Sequence, residues 1–196
     1  MELANTTLYH FKDRRIIDDN WNLGSTFIID KNYKTYECRD IEPIDINLPE
    51  EDQMIEYYKM LNKTKKLSND DKFVIREKML ELYRSKHLSD EISRMHCMYF
   101  CDENSLMYWL RMFPSFYDIY EVRVNGIAFK SSAKLLPKIE NNNKYTFKEM
   151  EQICQSYWNP NLMDENLCCF AEYLFQGEVY VRKKTDINSI RSRYTI

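Results

Sequence analysis

The stretch Ala171–Val181 limits the possible folds of this chain more than any other stretch. One acid, Glu172, opens an apolar run that favours a β-strand, and Gln176-Gly177 predicts a turn that would return a second strand. A carboxylate at the mouth of a buried strand sits on a rigid element beside a low-dielectric core, where it can be aimed at one atom of a ligand. The alternative is an acid at a sheet edge that simply faces water.

Length and charge restrict the class of protein. The chain has 196 residues, of which 44% are hydrophobic and 30% charged, the size and balance of one globular domain. We therefore predict a single domain over residues 1–196, with a charged surface insertion at about residues 39–71. A net charge of -3 argues against a basic nucleic-acid-binding surface over the whole protein.

The cysteines and apolar segments bear on location. The 6 cysteines form no C-x-x-C pair, and no His/Cys spacing resembles a zinc site. The N-terminus lacks the basic region and apolar run of a signal peptide. No stretch approaches the ~20 apolar residues that span a bilayer. We predict a cytoplasmic protein with reduced thiols, no metal and no membrane association.

Short strands alternate with single helices in an α+β order. We predict strands over 6–11, 94–101 and 119–124, and a strand or packed chain over 26–29. Helices are predicted over 54–61 and 106–113, and after N-caps at Ser68 and Thr146. Asn125-Gly126 is a strong hairpin signal, and the tail from Thr185 is predicted to be peripheral.

Three stretches together carry a resemblance to a known superfamily. Tyr9-His10 lies at the end of the first strand, Tyr99-Phe100-Cys101-Asp102 leads from a strand into a helix, and Glu172-Tyr173-Leu174-Phe175 opens a late strand. In type and order they resemble the His-Tyr-Glu class of ADP-ribosyltransferases, which includes the poly-ADP-ribose polymerases and diphtheria toxin. From Leu8 to Lys183 the chain also resembles an uncharacterised family of bacterial and phage proteins that we associate with this superfamily. The features of that likeness are Ser93-Arg94, Tyr120-Glu121-Val122 and Tyr157-Trp158.

The chain departs from the superfamily pattern at three positions. Phe11 and Lys12 stand where members often carry Gly and then Ser or Thr, and Cys97 stands where Gly usually precedes the tyrosine by two residues. In the superfamily, the residue after the histidine holds the nicotinamide amide through its backbone N–H and C=O. Phe11 can still make those contacts with a negative φ.

The resemblance implies a fold and an activity. The fold would be an ADP-ribosyltransferase-like split core of two packed antiparallel sheets with flanking helices. The protein would be an NAD-dependent mono-ADP-ribosyltransferase that cleaves the nicotinamide–ribose bond and transfers ADP-ribose to a protein or nucleic-acid acceptor. NAD would be the co-substrate, and the role of a bacterial or phage effector, whether toxin, phage counter-defence factor or regulator, stays open.

The catalytic residues that the resemblance implies are Glu172, His10 and Tyr99. The nicotinamide–ribose bond breaks through an oxocarbenium-like transition state, as in glycoside hydrolysis. Ionised Glu172 would stabilise the developing positive charge, hydrogen-bond a ribose hydroxyl and orient the nucleophile. His10 would hydrogen-bond the other ribose.

The remaining expected NAD contacts come from aromatic and basic side chains. Tyr99, together with Tyr108 or Trp109 on the following helix, would stack on nicotinamide. The planar fork of Arg94 would suit a phosphate, and an ion pair within the protein is an equally plausible role for it.

Other interpretations stay open. Taken alone, His10 fits a hydrogen-bonded strand histidine and Tyr99 a core aromatic residue. Glu178 is a rival acid, ranked below Glu172 because it follows the turn. Two other functions are an interaction protein that keeps the fold without the chemistry, and an NAD glycohydrolase that uses water as acceptor.

The resemblance also makes a geometric prediction. His10, Tyr99 and Glu172 should converge within roughly 10 Å, since one ribose–nicotinamide unit must touch all three through contacts of about 3 Å. Strand alternation predicts that Tyr9 points away from His10, and Tyr173 away from Glu172.

Overall fold

The computed structural model describes residues 1–16, 19–62 and 66–194. Within them the fold is α+β, as predicted, with a five-stranded antiparallel sheet. The strands are β1 (Glu2–Asp13), β2 (Thr26–Ile29), β3 (Met98–Phe100), β4 (Tyr117–Ser132) and β5 (Ala171–Asp186). The helices of the described part are α1 (Glu50–Leu61), α2 (Asn69–His87), α3 (Glu103–Met112), α4 (Phe147–Tyr157), α5 (Glu165–Cys168) and α6 (Ile187–Tyr194).

The two long strands organise the sheet. β4 and β5 pair along almost their whole lengths, and β1 pairs with the first part of β4. Along its other edge, β5 pairs first with β3 and then with β2. An isolated bridge between Tyr9 and Cys101 joins β1 to the chain just beyond β3, through two backbone hydrogen bonds of 2.9 Å. The sheet therefore curls until its margins meet.

Both predicted hairpin turns are wrong. Asn125-Gly126 lies inside β4 and Gln176-Gly177 inside β5, with the two glycines opposite each other. A Cβ atom on Gly126 would lie 2.3 Å from the Gln176 carbonyl oxygen, and one on Gly177 would lie 2.4 Å from the Asn125 carbonyl oxygen. The glycines thus allow two backbones to approach closely, which is the other common use of glycine in a strand.

The helix starts are confirmed, whereas the prediction of a peripheral tail is wrong. Ser68 forms a capping box with Asp71, and Thr146 forms one with Glu149. Beyond Thr185, β5 continues to Asp186 and α6 follows, with Ile187 buried against α3. The predicted strand over 94–101 is shorter, because a 3-10 turn precedes β3.

The curled sheet separates three apolar clusters. Its inner face gathers side chains from all five strands together with Trp21. On the outer face, α1, α2 and α4 cover Phe129 and Leu174 at one end of the sheet. At the other end, α3 and α6 cover Ile119, with Tyr9 packed beside it. The candidate site lies on this outer face.

The stretch 39–71 contributes to the core as well as to the surface. Its buried side chains in the outer-face cluster are Ile44, Tyr57, Leu61 and Leu67. Residues 63–65 of the predicted insertion lie outside the described residues. Across the described chain, none of the helices is both long and apolar enough to cross a membrane.

Candidate functional site

Glu172 lies at the start of β5 on the outer face of the sheet. Its neighbours Ala171 and Tyr173 face the inner cluster, and side chains alternate along a strand, which confirms that Tyr173 turns away from Glu172. Only 4% of Glu172 is exposed. Its Oε1 accepts hydrogen bonds from Arg94 Nη1 and from the Tyr157 hydroxyl, both at 2.6 Å. Among the described residues none bonds to Oε2, which is not fully buried.

Arg94 is the centre of the site. It lies in the 3-10 turn before β3, where Thr35 Oγ1 donates to the Arg94 carbonyl at 3.0 Å. Arg94 is 2% exposed, and its guanidinium donates to Glu77 through Nε at 2.6 Å and Nη2 at 3.2 Å. Burial alone would lower the pKa of Arg94, but the charge of Glu77 keeps it well above its usual value. Arg94 is therefore the shared cation of two buried ion pairs, one with Glu77 and one with Glu172.

Glu77 completes the charge balance from α2. It is fully buried and also bonds to Arg76, at 3.0 Å. Burial raises the pKa of Glu77, but the nearby charges of Arg94 and Arg76 outweigh it and the pKa is lowered. Sequence reasoning missed this residue. The available signal is that apolar residues surround it along α2, so that an acid there is buried and needs a partner.

Tyr157, at the end of α4, connects the two charged groups. Its hydroxyl accepts from Arg94 Nη1 and donates to Glu172 Oε1. Ser131 Oγ donates to the Tyr157 carbonyl at 2.6 Å, which holds the end of α4 against β4. Burial raises the pKa of Tyr157 well above its usual value, so the hydroxyl keeps the proton that it donates. Sequence reasoning named Tyr157 as part of the Tyr157-Trp158 likeness and missed this contact.

Tyr99 closes the other side of Arg94. Its hydroxyl donates to the Arg94 carbonyl at 2.9 Å, and its ring centroid lies 5.1 Å from the guanidinium carbon. Burial raises the pKa of this phenol too. The structure thus brings Arg94, Tyr99 and Glu172 together, although Tyr99 and Glu172 are 73 positions apart (172 − 99) in the sequence.

His10 lies on the other face of the sheet. Its ring stacks on Trp21 with centroids 4.5 Å apart and contacts Phe100 in the inner cluster. Tyr9 packs on the outer face, which confirms that the two neighbours point in opposite directions. His10 Nδ1 lies 2.9 Å from the Tyr99 carbonyl oxygen, and because a carbonyl only accepts, that nitrogen carries a proton. The link from His10 to the site therefore runs through the backbone of β3.

Helix α3 brings two aromatic side chains to the edge of the site. Trp109 Nε1 donates to the Ala171 carbonyl at 2.8 Å, next to Glu172. Burial, and after it the charge of Glu172, raises the pKa of Tyr108, so this phenol lies within electrostatic range of the carboxylate. Phe11 stacks on Phe113 at 4.7 Å, at the far end of α3.

The rival acid has none of these features. Glu178 is exposed, lies opposite Asn125 in the sheet and accepts one hydrogen bond from that residue at 3.2 Å. Glu172, in contrast, has one oxygen held by a cation and a phenol, while its other oxygen has no bonding partner among the described residues. Elsewhere in the described chain, no group of three or more His, Cys, Asp or Glu side chains is arranged to hold a metal.

Comparison with known proteins found a match to a protein family. The sequence model of a family described as a protein of unknown function (DUF2441) matches residues 8–188. The match runs from β1 into α6 and includes every site residue described above. A search of curated proteins found no match.

Proposed function

The chain belongs to the DUF2441 family of proteins of unknown function, and we propose that it is an NAD-dependent mono-ADP-ribosyltransferase. The observation that carries the proposal is that the two carboxylate oxygens of Glu172 have different surroundings. Arg94 and Tyr157 hold Oε1, whereas Oε2 is left for a ligand. A carboxylate held in this way on a strand is pre-organised for electrostatic stabilisation of a developing cation.

The proposed reaction breaks the bond between ribose C1′ and nicotinamide. The bonding electrons leave with nicotinamide, and positive charge develops on the ribose. Glu172 Oε2 accepts a hydrogen bond from a ribose hydroxyl and stabilises that charge. The acceptor nucleophile then forms a bond to C1′ and gives up its proton to the carboxylate. The products are nicotinamide and an ADP-ribosylated acceptor, which is a protein or a nucleic acid.

The aromatic residues around Glu172 support a flat ligand. Tyr108 and Trp109 of α3 lie at the edge of the site, and a nicotinamide ring would stack between Trp109 and β3. A direct ribose contact by His10 would need its imidazole on the same face as Glu172. In the proposed site His10 instead supports β3 through the Tyr99 carbonyl. Phe11 would hold the nicotinamide amide through its backbone.

We further propose that the curled sheet corresponds to the split core of ADP-ribosyltransferases. β3 pairs with β5 over Tyr173–Phe175, and β2 pairs with it over Gly177–Tyr180. The Gly126–Gly177 contact lies at the junction between these two halves. Such an arrangement would divide one continuous sheet into two packed parts.

The test is NAD turnover by the purified full chain, with protein and nucleic-acid acceptors supplied. We expect nicotinamide release that falls about 100-fold or more in Glu172→Gln, the size typical for loss of an acid–base group. Glu178→Gln, the same change on an exposed acid of the same strand, should leave turnover unaltered. Absence of NAD binding by calorimetry, with no turnover in wild type, would refute the proposal.

A second candidate function is an interaction protein that uses the fold without chemistry. It is favoured by the ion pair of Glu172 with Arg94 and by the position of His10 on the opposite face. This alternative predicts a partner complex that Glu172→Gln leaves intact. Release of nicotinamide without modification of any macromolecule would identify an NAD glycohydrolase instead.

A further inference from the structure

An exposed cation stands on an aromatic surface next to Glu172. Lys134 Nζ lies 4.5 Å from the centroid of the Phe170 ring, and the edge of Tyr108 meets Phe170 with centroids 4.9 Å apart and planes at 83°. We call these three side chains the aromatic step. Tyr108 and Phe170 are each partly exposed, and Lys134 is exposed.

The backbone holds the aromatic step at a defined place beside the candidate site. Phe170 immediately precedes β5, two residues before Glu172, and packs against Tyr108 of α3. The Ala133 N–H donates to the Phe170 carbonyl at 2.9 Å, which ties the turn that carries Lys134 to the start of β5. Tyr108 reaches the same place from α3.

The ion pairs of the described residues do not involve Lys134, so its ammonium can bind an anion. The described residues include no carboxylate that forms an ion pair with it, whereas Arg94 is bound to Glu77 and Glu172, and Lys130 to Asp102 at 3.2 Å. An anion can therefore bind Lys134 without breaking an ion pair. Arg94, which sequence analysis considered for a phosphate, has its donors directed at buried partners.

We propose that the aromatic step binds the ADP part of NAD, with a phosphate on Lys134 Nζ and the adenine ring against the exposed surface of Tyr108. A lysine ammonium is a common point-charge partner of phosphate. Aromatic side chains offer stacking surfaces to bases, and this stacking does not depend on specific hydrogen bonds. This inference rests on the proposed function, because it names where the dinucleotide lies relative to Glu172.

The experiment uses ADP-ribose, which carries both phosphates but lacks the bond that the proposed reaction breaks. Calorimetry with the full chain should show binding that weakens about tenfold in Lys134→Met, a change of about 1.4 kcal/mol. Lys138→Met is the matched control, since Lys138 is also exposed and forms no ion pair within the described chain. We expect its affinity to stay within twofold of wild type. Adenosine, which has no phosphate, should bind both variants equally.

Several results would overturn the inference. These are no binding of ADP-ribose to wild type, unchanged affinity in Lys134→Met, or an equal loss in both lysine variants, which would reflect net charge alone. NAD turnover separates this outcome from failure of the proposed function. Turnover that persists while Lys134→Met binds ADP-ribose normally rejects the aromatic step alone. Lys134-dependent binding of ADP-ribose without NAD turnover supports the step and rejects the chemistry.

Discussion

The hydroxyl of Tyr157 donates a 2.6 Å hydrogen bond to Oε1 of Glu172 and, through the same oxygen, accepts one from Arg94. A phenol from the end of α4 thereby fixes the orientation of a carboxylate on β5. Because burial keeps the Tyr157 proton in place, this donor persists at any physiological pH. Glu172 is held in one orientation before any ligand arrives.

Removal of that hydroxyl should destabilise the protein. In Tyr157→Phe, Glu172 loses one of its two donors in a buried place, and we expect the free energy of unfolding to fall by about 1–3 kcal/mol. Urea unfolding measures it. Tyr145→Phe is the control, because it removes a partly exposed hydroxyl that bonds to Asn143 and the Lys138 carbonyl, in a separate network. Equal losses in the two variants would show that the contact with Glu172 has no special weight.

Removal of the charge on Glu77 should lower the free energy of unfolding more than removal of the Tyr157 hydroxyl does. In Glu77→Gln, Arg94 loses its two-point ionic partner while buried and keeps only its single ionic contact with Glu172, and breaking one side of a buried ion pair costs about 3–5 kcal/mol. Glu151→Gln breaks exposed contacts to Lys86 and His87, where about 1 kcal/mol or less is expected. Thermal and urea unfolding of the two variants give the comparison. A loss below 1 kcal/mol in Glu77→Gln would contradict a stabilising role for the pair.

The same residue predicts a dependence of stability on pH. The folded pKa of Glu77 lies below the unfolded value of about 4.3, so its ionised form stabilises the fold above that pH. As the pH falls from there through the folded pKa, this contribution is lost. The difference in unfolding free energy between wild type and Glu77→Gln should therefore be constant from pH 7 to about 5 and shrink below about 4. A difference that grows on acidification would contradict the assignment.

The contact between the long strands predicts an effect of a single methyl group. In Gly177→Ala the φ of +144° strains the backbone as at Gly24, and in addition the new Cβ would lie 2.4 Å from the Asn125 carbonyl oxygen, so the β4 and β5 backbones must separate. We expect a loss of about 2–3 kcal/mol, as for other overpacked sites. Gly24→Ala has open space around its Cβ and a φ of +81°, so only backbone strain of about 1 kcal/mol applies. Circular dichroism with urea would rank the two, and a reversed order would contradict close approach as the reason for Gly177.

Local chemistry in the sequence determined where α2 and α4 begin. A hydroxyl three residues before an acid, as in Ser68/Asp71 and Thr146/Glu149, satisfies free backbone N–H groups wherever the chain folds. Hydrophobic spacing likewise placed α3, and Pro114 follows its end. The order of Tyr99 and Glu172 on β3 and β5 was also readable, because each lies in a run of strand-forming residues.

Only the tertiary structure decided what Gly126, Gly177 and Arg94 do. A glycine before or after a polar residue favours a turn, but pairing over the whole length of β4 and β5 outweighs that preference and uses the glycines for close approach. Arg94 meets Glu77 and Glu172, which are 17 and 78 positions away. No local pattern encodes such a meeting, since the pairing of buried charges depends on which helices and strands pack together and on the burial that makes each charge need a partner.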